Sequence, residues 1–347
     1  MCGIFGALSL DGSELKIAEA AARAGLAALD HRGPDSASFV RRDTALLGHT
    51  RLALVDPDPR SDQPFWDETG RYCLIYNGEI YNFRTLRADF EKRGVNFRTE
   101  SDTEVVLQAL IHTSDPADAL RTFAGMFAFA FRDMQTGRTI LARDRFGMKP
   151  LNFARTPDRL YFSSEITALR DILPLAPDLL TVAAYLMGHG GPMRGPSFYS
   201  GVEVLEPGHM IEVSGAGTVD RRPFFRLTDF LDQGRHAELA AMSPQRIVDL
   251  VDERLWNGVQ SHLFADARVG AFCSGGVDSS LLVAMAARQQ KEVALFHANV
   301  RGTWSEHHAA KALADHLKLE LHTVEGDQPA LIHQITAATR HSEHPFS

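Results

Sequence analysis

Apolar residues at Leu15, Ala18, Ala22, Leu26 and Leu29 recur at intervals of three and four, which places them on one face of a helix over 15–29. His31-Arg32-Gly33-Pro34 then breaks the rhythm, as glycine and proline do at a helix end. Short apolar runs at 45–47, 73–76, 126–131, 139–142 and 160–162, bounded by Gly, Asp, Asn and Pro, predict buried strands. Helical spacing returns at 83–93 and 102–112, the second with Ser101 or Asp102 available as an N-cap. Strands and helices that come in blocks predict stacked sheets covered by helices, an α+β arrangement. From about 221 to 243 the chain turns polar and irregular. Beyond it, helix, strand, Gly-rich turn, helix, strand and helix follow in the order of a parallel α/β unit. The division expected is a first domain over 1–220, a linker over 221–242 and a second domain over 243–347.

Composition narrows the function. Two domains suit a chain of 347 residues, since single cores stop growing at about 250–300. A charged fraction of 23%, a hydrophobic fraction of 44% and a formal charge of −8 suit small metabolites as partners better than nucleic acid or an anionic membrane. No run approaches the roughly 18 apolar residues of a membrane helix. The N-terminus also lacks the basic and apolar regions of a signal peptide, so a cytoplasmic location is expected. Three cysteines, Cys2, Cys73 and Cys273, are too few and too scattered for a disulfide framework or a zinc site. Cys73 reads as a buried strand residue.

Cys2 follows Met1 directly. Loss of Met1 would put a thiol and a free α-amine on one residue, and an amine with an ordinary pKa of about 8 can accept the thiol's proton near neutral pH. Alone, a cysteine at position two reads as a chance residue. Its company is Met1-Cys2-Gly3-Ile4-Phe5-Gly6, His31-Arg32-Gly33-Pro34-Asp35, Arg51-Leu52-Ala53-Leu54-Val55-Asp56, Asn77-Gly78-Glu79-Ile80-Tyr81-Asn82, Ser101-Asp102-Thr103-Glu104 and Ala142-Arg143-Asp144-Arg145-Phe146-Gly147. In that order and spacing these segments resemble the class II glutamine amidotransferases, which are N-terminal-nucleophile hydrolases. The resemblance implies a four-layer αββα domain in which Cys2 attacks the side-chain amide of glutamine. It further implies that the Asn77 side chain and the Gly78 N–H form an oxyanion hole, worth roughly 3 kcal/mol per donor. Arg51 would clamp the α-carboxylate in two-pronged fashion, and Asp102 with the region of Glu79 would answer the α-ammonium. Taken singly, Arg51 reads as a surface ion-pair residue, Asn77-Gly78 as a hairpin turn and Asp102 as a helix cap.

A second site lies downstream. The apolar run 268–273 reads as a short strand, from which Ser274-Gly275-Gly276-Val277-Asp278-Ser279-Ser280 leads into a helix over 281–288. Two glycines let successive N–H groups point at an anion, the helix N-terminus adds positive potential and the serines add hydroxyl donors. A Walker loop would need a lysine, and the bland alternative is a serine-glycine turn capped by Asp278. The segment resembles the Ser-Gly-Gly-x-Asp-Ser loop of the ATP pyrophosphatase family. That implies ATP bound by Ser274, Gly275, Gly276, Asp278 and Ser279, with Mg²⁺ on the pyrophosphate held by Asp278. It also implies contacts to adenine and ribose near Cys273 and near Ala298, at the end of a strand over 293–298. His307-His308 reads as a solvated helix face, because adjacent helical positions diverge by about 100°.

The two resemblances together point to the glutamine-hydrolysing asparagine synthetase family. In it, ammonia released at Cys2 passes through an internal tunnel to a carboxylate adenylated with ATP, and aspartate is the commonest acceptor. The alternative is another carboxylate, in an antibiotic, cell-wall or saccharide pathway. β-lactam synthetases typically lack the N-terminal cysteine, and phosphoribosyl and hexosamine amidotransferases lack the loop at 274–279. Members of the family continue for some hundreds of residues through a Ser-Gly-Glu-Gly-x-Asp-Glu segment. The nucleotide-binding domain is therefore expected to be incomplete, as in a partial chain, and a chain truly ending at Ser347 would be a glutaminase or a binding subunit. Expected partners are glutamine, ATP, and aspartate or another small carboxylate, with a homodimer compatible with the reading.

Overall fold

The computed structural model describes residues 1–189, 195–289, 293–300, 302, 305–326 and 328–345, the side chains of 328–333 excepted. The chain divides into two compact units, one of Met1–Asp229 with the terminal residues from Glu343, the other of Phe230–Ser342. No helix among the described residues is long and apolar enough to cross a membrane.

The first unit contains β1 (Gly3–Ser9), β2 (Ser36–Arg42), β3 (Ala45–Arg51), β4 (Phe65–Trp66), β5 (Tyr72–Ile80), β6 (Gly125–Asp133), β7 (Thr139–Arg143), β8 (Asn152–Arg155), β9 (Arg159–Ser163), β10 (Val202–Val204), β11 (His209–Val213) and β12 (Val219–Pro223). They form two six-stranded antiparallel sheets in the orders β10-β8-β9-β1-β3-β2 and β12-β11-β7-β6-β5-β4. In β6 the run Phe127-Ala128-Phe129-Ala130-Phe131 points successive residues to opposite faces. Ala128 and Ala130 join Ile4, Leu8, Leu47, Ile75 and Leu141 in the core between the sheets. Phe127 instead meets Phe123 edge-on and stacks on Phe224.

Helix α1 (Glu19–Ala27) covers the outer face of the first sheet, where Ala22 and Leu26 pack with Phe5, Ala7 and Leu46. Helices α2 (Phe83–Lys92), α3 (Asp102–Ile111) and α4 (Pro116–Thr122) follow β5, and α3 packs on that strand. The result is the four-layer αββα arrangement implied by the resemblance. The helix expected over 15–29 is shorter than its spacing suggests. Leu15 lies ahead of the helix, its N–H bonded to the Asp43 carbonyl at 2.6 Å, although it shares the core of α1. The apolar rhythm there records a common core, not a single helix. A further helix, α5 (Leu179–Ala184), precedes β10. The stretch 221–242 holds the last residues of β12 and helix α6 (Gln233–Ala240).

The second unit continues with α7 (Pro244–His262), β13 (Gly270–Phe272), α8 (Val277–Gln289), β14 (Ala294–Val300), α9 (His307–Leu317), β15 (Leu321–Gly326) and α10 (Gln328–Ser342). Its strands pair in parallel in the order β13-β14-β15. Val283, Leu295, Ala310 and Ala314 form its small core, so the α/β expectation holds for this part.

Candidate active site

One pocket of the first unit is lined by Cys2, Arg51, Asn77, Gly78, Glu79 and Asp102, together with Met1, Gln63, Tyr76 and Lys149. Cys2 stands one residue ahead of β1, whose register sets Gly3 opposite Thr50 and Ile4 opposite His49. The Leu52 N–H, just past β3, donates to the Cys2 Sγ at 3.3 Å. Behind it, Arg32 Nε donates to the Cys2 carbonyl at 3.0 Å and Nη1 to Glu165 Oε1 at 2.8 Å, and His31 Nε2 donates to the same oxygen at 3.0 Å. Gly33 is needed in that turn because a Cβ would stand 2.3 Å from the Thr50 carbonyl carbon. Burial pushes the Cys2 thiol up, while the Leu52 hydrogen bond, the α-amine and Lys149 pull it down. Burial also holds the α-amine, here on Met1, below its ordinary value.

Asn77 and Gly78 lie in mid-strand, paired with Ala128 and Phe127, not in a hairpin turn. A Cβ on Gly78 would come within 2.5 Å of the Met126 carbonyl oxygen, so only glycine lets β5 pass β6 at this point. The Asn77 side chain is 1% exposed, and neither its Oδ1 nor its Nδ2 has a protein partner. Buried amides normally find one.

Arg51 closes β3. Its Nη1 donates to Asp62 Oδ1 at 2.6 Å and to the Asp58 carbonyl at 3.1 Å, and its Nη2 to the Asp56 carbonyl at 2.5 Å. These bonds leave Nε–H and one Nη2–H of the fork for a carboxylate. Asp102 opens α3 without capping it, since Ser101 Oγ accepts from the Thr103 N–H at 3.1 Å. The Asp102 carboxylate accepts from Tyr76 OH at 2.8 Å and from the Ile80 N–H at 3.0 Å. Burial, helped by the charge of Glu79, pushes its carboxyl up to about 6 against those two bonds. Gln63 Oε1 accepts from the Tyr76 N–H at 2.6 Å.

In the second unit, Cys273, Ser274 and Ala298 line one pocket with Phe272, Phe296 and His297, toward the carboxyl ends of β13 and β14. Gly276 N donates to Ser274 Oγ at 3.2 Å, Ser274 Oγ lies 2.9 Å from Ser279 Oγ, and Ser279 Oγ donates to the Gly276 carbonyl at 3.2 Å. Gly275 has a φ of +94°, and a Cβ there would stand 2.8 Å from the Glu306 carbonyl oxygen. Helix α8 starts at Val277, ahead of the expected 281, so Asp278 lies exposed in its first turn. His307 packs on His297, ring centroids 5.3 Å apart, instead of sharing a solvated face with His308. No group of three or more His, Cys, Asp or Glu among the described residues is arranged to hold a metal ion.

Residues 1–225 match the glutamine amidotransferase domain family, and residues 250–347 match the asparagine synthase family. The chain belongs to the glutamine amidotransferase family. This amidotransferase is 31% identical over 260 residues to asparagine synthetase (glutamine-hydrolyzing) 1 of Bacillus subtilis (strain 168), covering 74% of this chain and 39% of that protein. It is 32% identical over 268 residues to asparagine synthetase (glutamine-hydrolyzing) 3 of the same organism, covering 75% of this chain and 41% of that protein. Amidase chry2 of Gibberella zeae is 28% identical over 334 residues, 91% of this chain and 48% of its own length. The chain thus spans less than half the length of these relatives.

All six residues expected at the amidotransferase's first site line its pocket, whereas Gln63, Tyr76 and Lys149 lie outside that expectation. Lys149 follows the segment 142–147 by two positions, a signal within reach. Gln63 carries none, since only the pairing of β4 with β5 brings its loop near. Cys73 sits in the core between the sheets, where burial drives its thiol far above the ordinary range. All three cysteines are free thiols.

Proposed function

We propose that this amidotransferase hydrolyses glutamine at Cys2, as part of an ATP-dependent ligase that uses the ammonia to amidate the side-chain carboxylate of aspartate. The observation that carries the reading is the Asn77 amide, buried and without a partner in the pocket of Cys2. When the sulfur attacks glutamine Cδ, a C–S bond forms and negative charge moves to the former carbonyl oxygen. Asn77 Nδ2–H and the Gly78 N–H receive that charge in this reading. The C–N bond then breaks and ammonia leaves, taking the proton that the α-amine drew from the thiol. Water cleaves the thioester to glutamate and restores the thiol. The remaining Arg51 donors take the α-carboxylate of glutamine, and Asp102 with Glu79 takes its α-ammonium. The amine that serves as base is that of Cys2 after loss of Met1.

In the second unit, ATP would rest against Cys273, Ser274 and Ala298, with Gly275, Gly276 and Ser279 around its phosphates. Asp278 offers a single carboxylate. It fits Mg²⁺ only as an ion that arrives on phosphate oxygens, where it supplies neutralising charge for pyrophosphate departure. A second reading keeps this chemistry and changes the acceptor. It is favoured by the amidase chry2 match, which extends over 91% of the chain against 74% for the first synthetase.

Cys2→Ala is expected to abolish glutamine hydrolysis, and mass spectrometry is expected to find Met1 absent from active protein. Hydrolysis by the alanine variant, or by protein that keeps Met1, overturns the mechanism. The acceptor is decided by giving the full-length protein glutamine, ATP, Mg²⁺ and a panel of carboxylates. Aspartate-dependent pyrophosphate and asparagine support the first reading, and pyrophosphate released only with another carboxylate supports the second.

A further inference from the structure

The segment 142–149 has no part in the chemistry above, yet it is heavily built. Asp144 Oδ1 accepts from the N–H groups of Phe146 and Met148 at 3.0 Å each, and Oδ2 from those of Lys149 at 3.0 Å and Phe127 at 3.2 Å. Arg143 holds the same loop by its carbonyls, donating to Gly147 and Lys149 at 2.7 Å each and to Leu205 at 2.7 Å. Gly147 makes the turn with a φ of +66°. What this scaffold delivers is a lysine. Lys149 is only 4% exposed and lines the pocket of Cys2, and its ammonium has no hydrogen-bond or ion-pair partner among the described residues. Lysines so deeply buried are normally paired.

We infer that Lys149 is a positioning residue of the glutaminase pocket, whose buried positive charge keeps the α-amine and thiol of the nucleophile down to the single proton that they exchange. The inference rests on Cys2 being the nucleophile. A cation fixed beside the pair disfavours its doubly protonated, positively charged form, whichever atom holds the remaining proton. The charged groups facing Lys149 are Cys2 and the α-amine ahead of β1, Arg32 ahead of β2, Glu79 on β5 and Asp144 in its own loop. Asp102 on α3 completes the lining. Of these, Glu79, Asp144 and Asp102 oppose the effect and Arg32 reinforces it. Consistent with that balance, Lys149 lowers both the Cys2 thiol and the amine of Met1 next to it.

The test compares Lys149→Met, which removes the charge at similar length and keeps the loop's backbone bonds, with Lys149→Arg, which keeps it. Both are made in protein processed to an N-terminal Cys2. Alkylation of Cys2 by iodoacetamide, followed by peptide mass spectrometry from pH 5 to 10, reads the pair without glutamine. In Lys149→Met the half-maximal pH is expected to rise by about one pH unit. Its kcat/KM for glutamine at pH 7 is expected to fall about tenfold and to recover at higher pH, with Lys149→Arg close to wild type. Lys149→Gln serves the same comparison should the methionine variant melt. An unchanged alkylation profile, or an arginine variant shifted as far as the methionine one, overturns the inference. Failure of the nucleophile assignment would show separately, as glutamine hydrolysis that survives Cys2→Ala.

Discussion

Asp102 is enclosed by Tyr76, Ile80 and the pocket wall, and its carboxyl titrates near 6, above the ordinary value of about 3.9. Its folded value exceeds its unfolded one, so its contribution to stability is full below about pH 3.9 and is lost as pH rises through 6. At neutral pH the ionised form is held against its preference, by on the order of 3 kcal/mol. Asp102→Asn relieves that strain and keeps an acceptor for Tyr76. The variant is expected to unfold at higher urea than the wild type at pH 8, with the gain vanishing near pH 4, while KM for glutamine rises at least about tenfold. A stability difference that does not vary with pH would count against this account. Asp102 could be singled out in the sequence because its motif is local. For Lys149 the nearby segment 142–147 marks the neighbourhood but not the burial, which follows from hydrogen bonds that Asp144 makes to amides on both sides of a turn.

His49 ties the two sheets together. From β3 of one sheet its Nε2 lies 3.1 Å from the Tyr76 carbonyl oxygen on β5 of the other, which makes Nε2–H the donor. Burial, with the charge of Arg51, holds the imidazole down to about 3. That is below the unfolded value of about 6.5, so the stabilisation is complete above pH 6.5 and falls away as pH drops toward 3. The slope reaches about 1.4 kcal/mol per pH unit. His49→Gln can still donate to Tyr76 but does not titrate. It is expected to lose less stability than the wild type between pH 6.5 and 4.5 in urea titrations, and equal losses would remove His49 as the cause. At this scale the strands rich in large apolar residues could be read from the chain, as in β5, β6 and β9. Strands β1, β2, β4, β8 and β10 to β12 of the first unit lie outside the apolar runs. In β1 the small residues Gly3 and Gly6 dilute the apolar signal, because a Cβ on Gly3 would meet Thr50 and Leu29 and one on Gly6 would meet Leu46 and Phe162. The alternative of a hairpin at Asn77-Gly78 fails for a related reason, since close passage of β6 excludes any side chain at Gly78.

Across the whole molecule the two units differ in how well they are covered. The first packs helices on both outer faces of paired sheets, whereas the second leaves Phe272 89% exposed, with Val277 and Val324 also open to solvent. Parallel sheets are ordinarily buried on both faces. The chain is therefore expected to unfold in two steps in urea, with amide protons of β14 exchanging before those of β5, and one coincident transition would refute this. In the first unit β1 is an interior strand, bonded to β3 on one side and to β9 on the other, with Phe5 opposite Ser163. During synthesis that strand leaves the ribosome first, and its second neighbour follows only after roughly 150 further residues, on the order of ten seconds later. If Met1 is the chain start, as the mechanism proposed above requires, it is open to an aminopeptidase throughout that interval, and once the sheet closes it lines the pocket of Cys2 while still 53% exposed. In the mechanism proposed above, strand order thus bears on when Cys2 is unmasked.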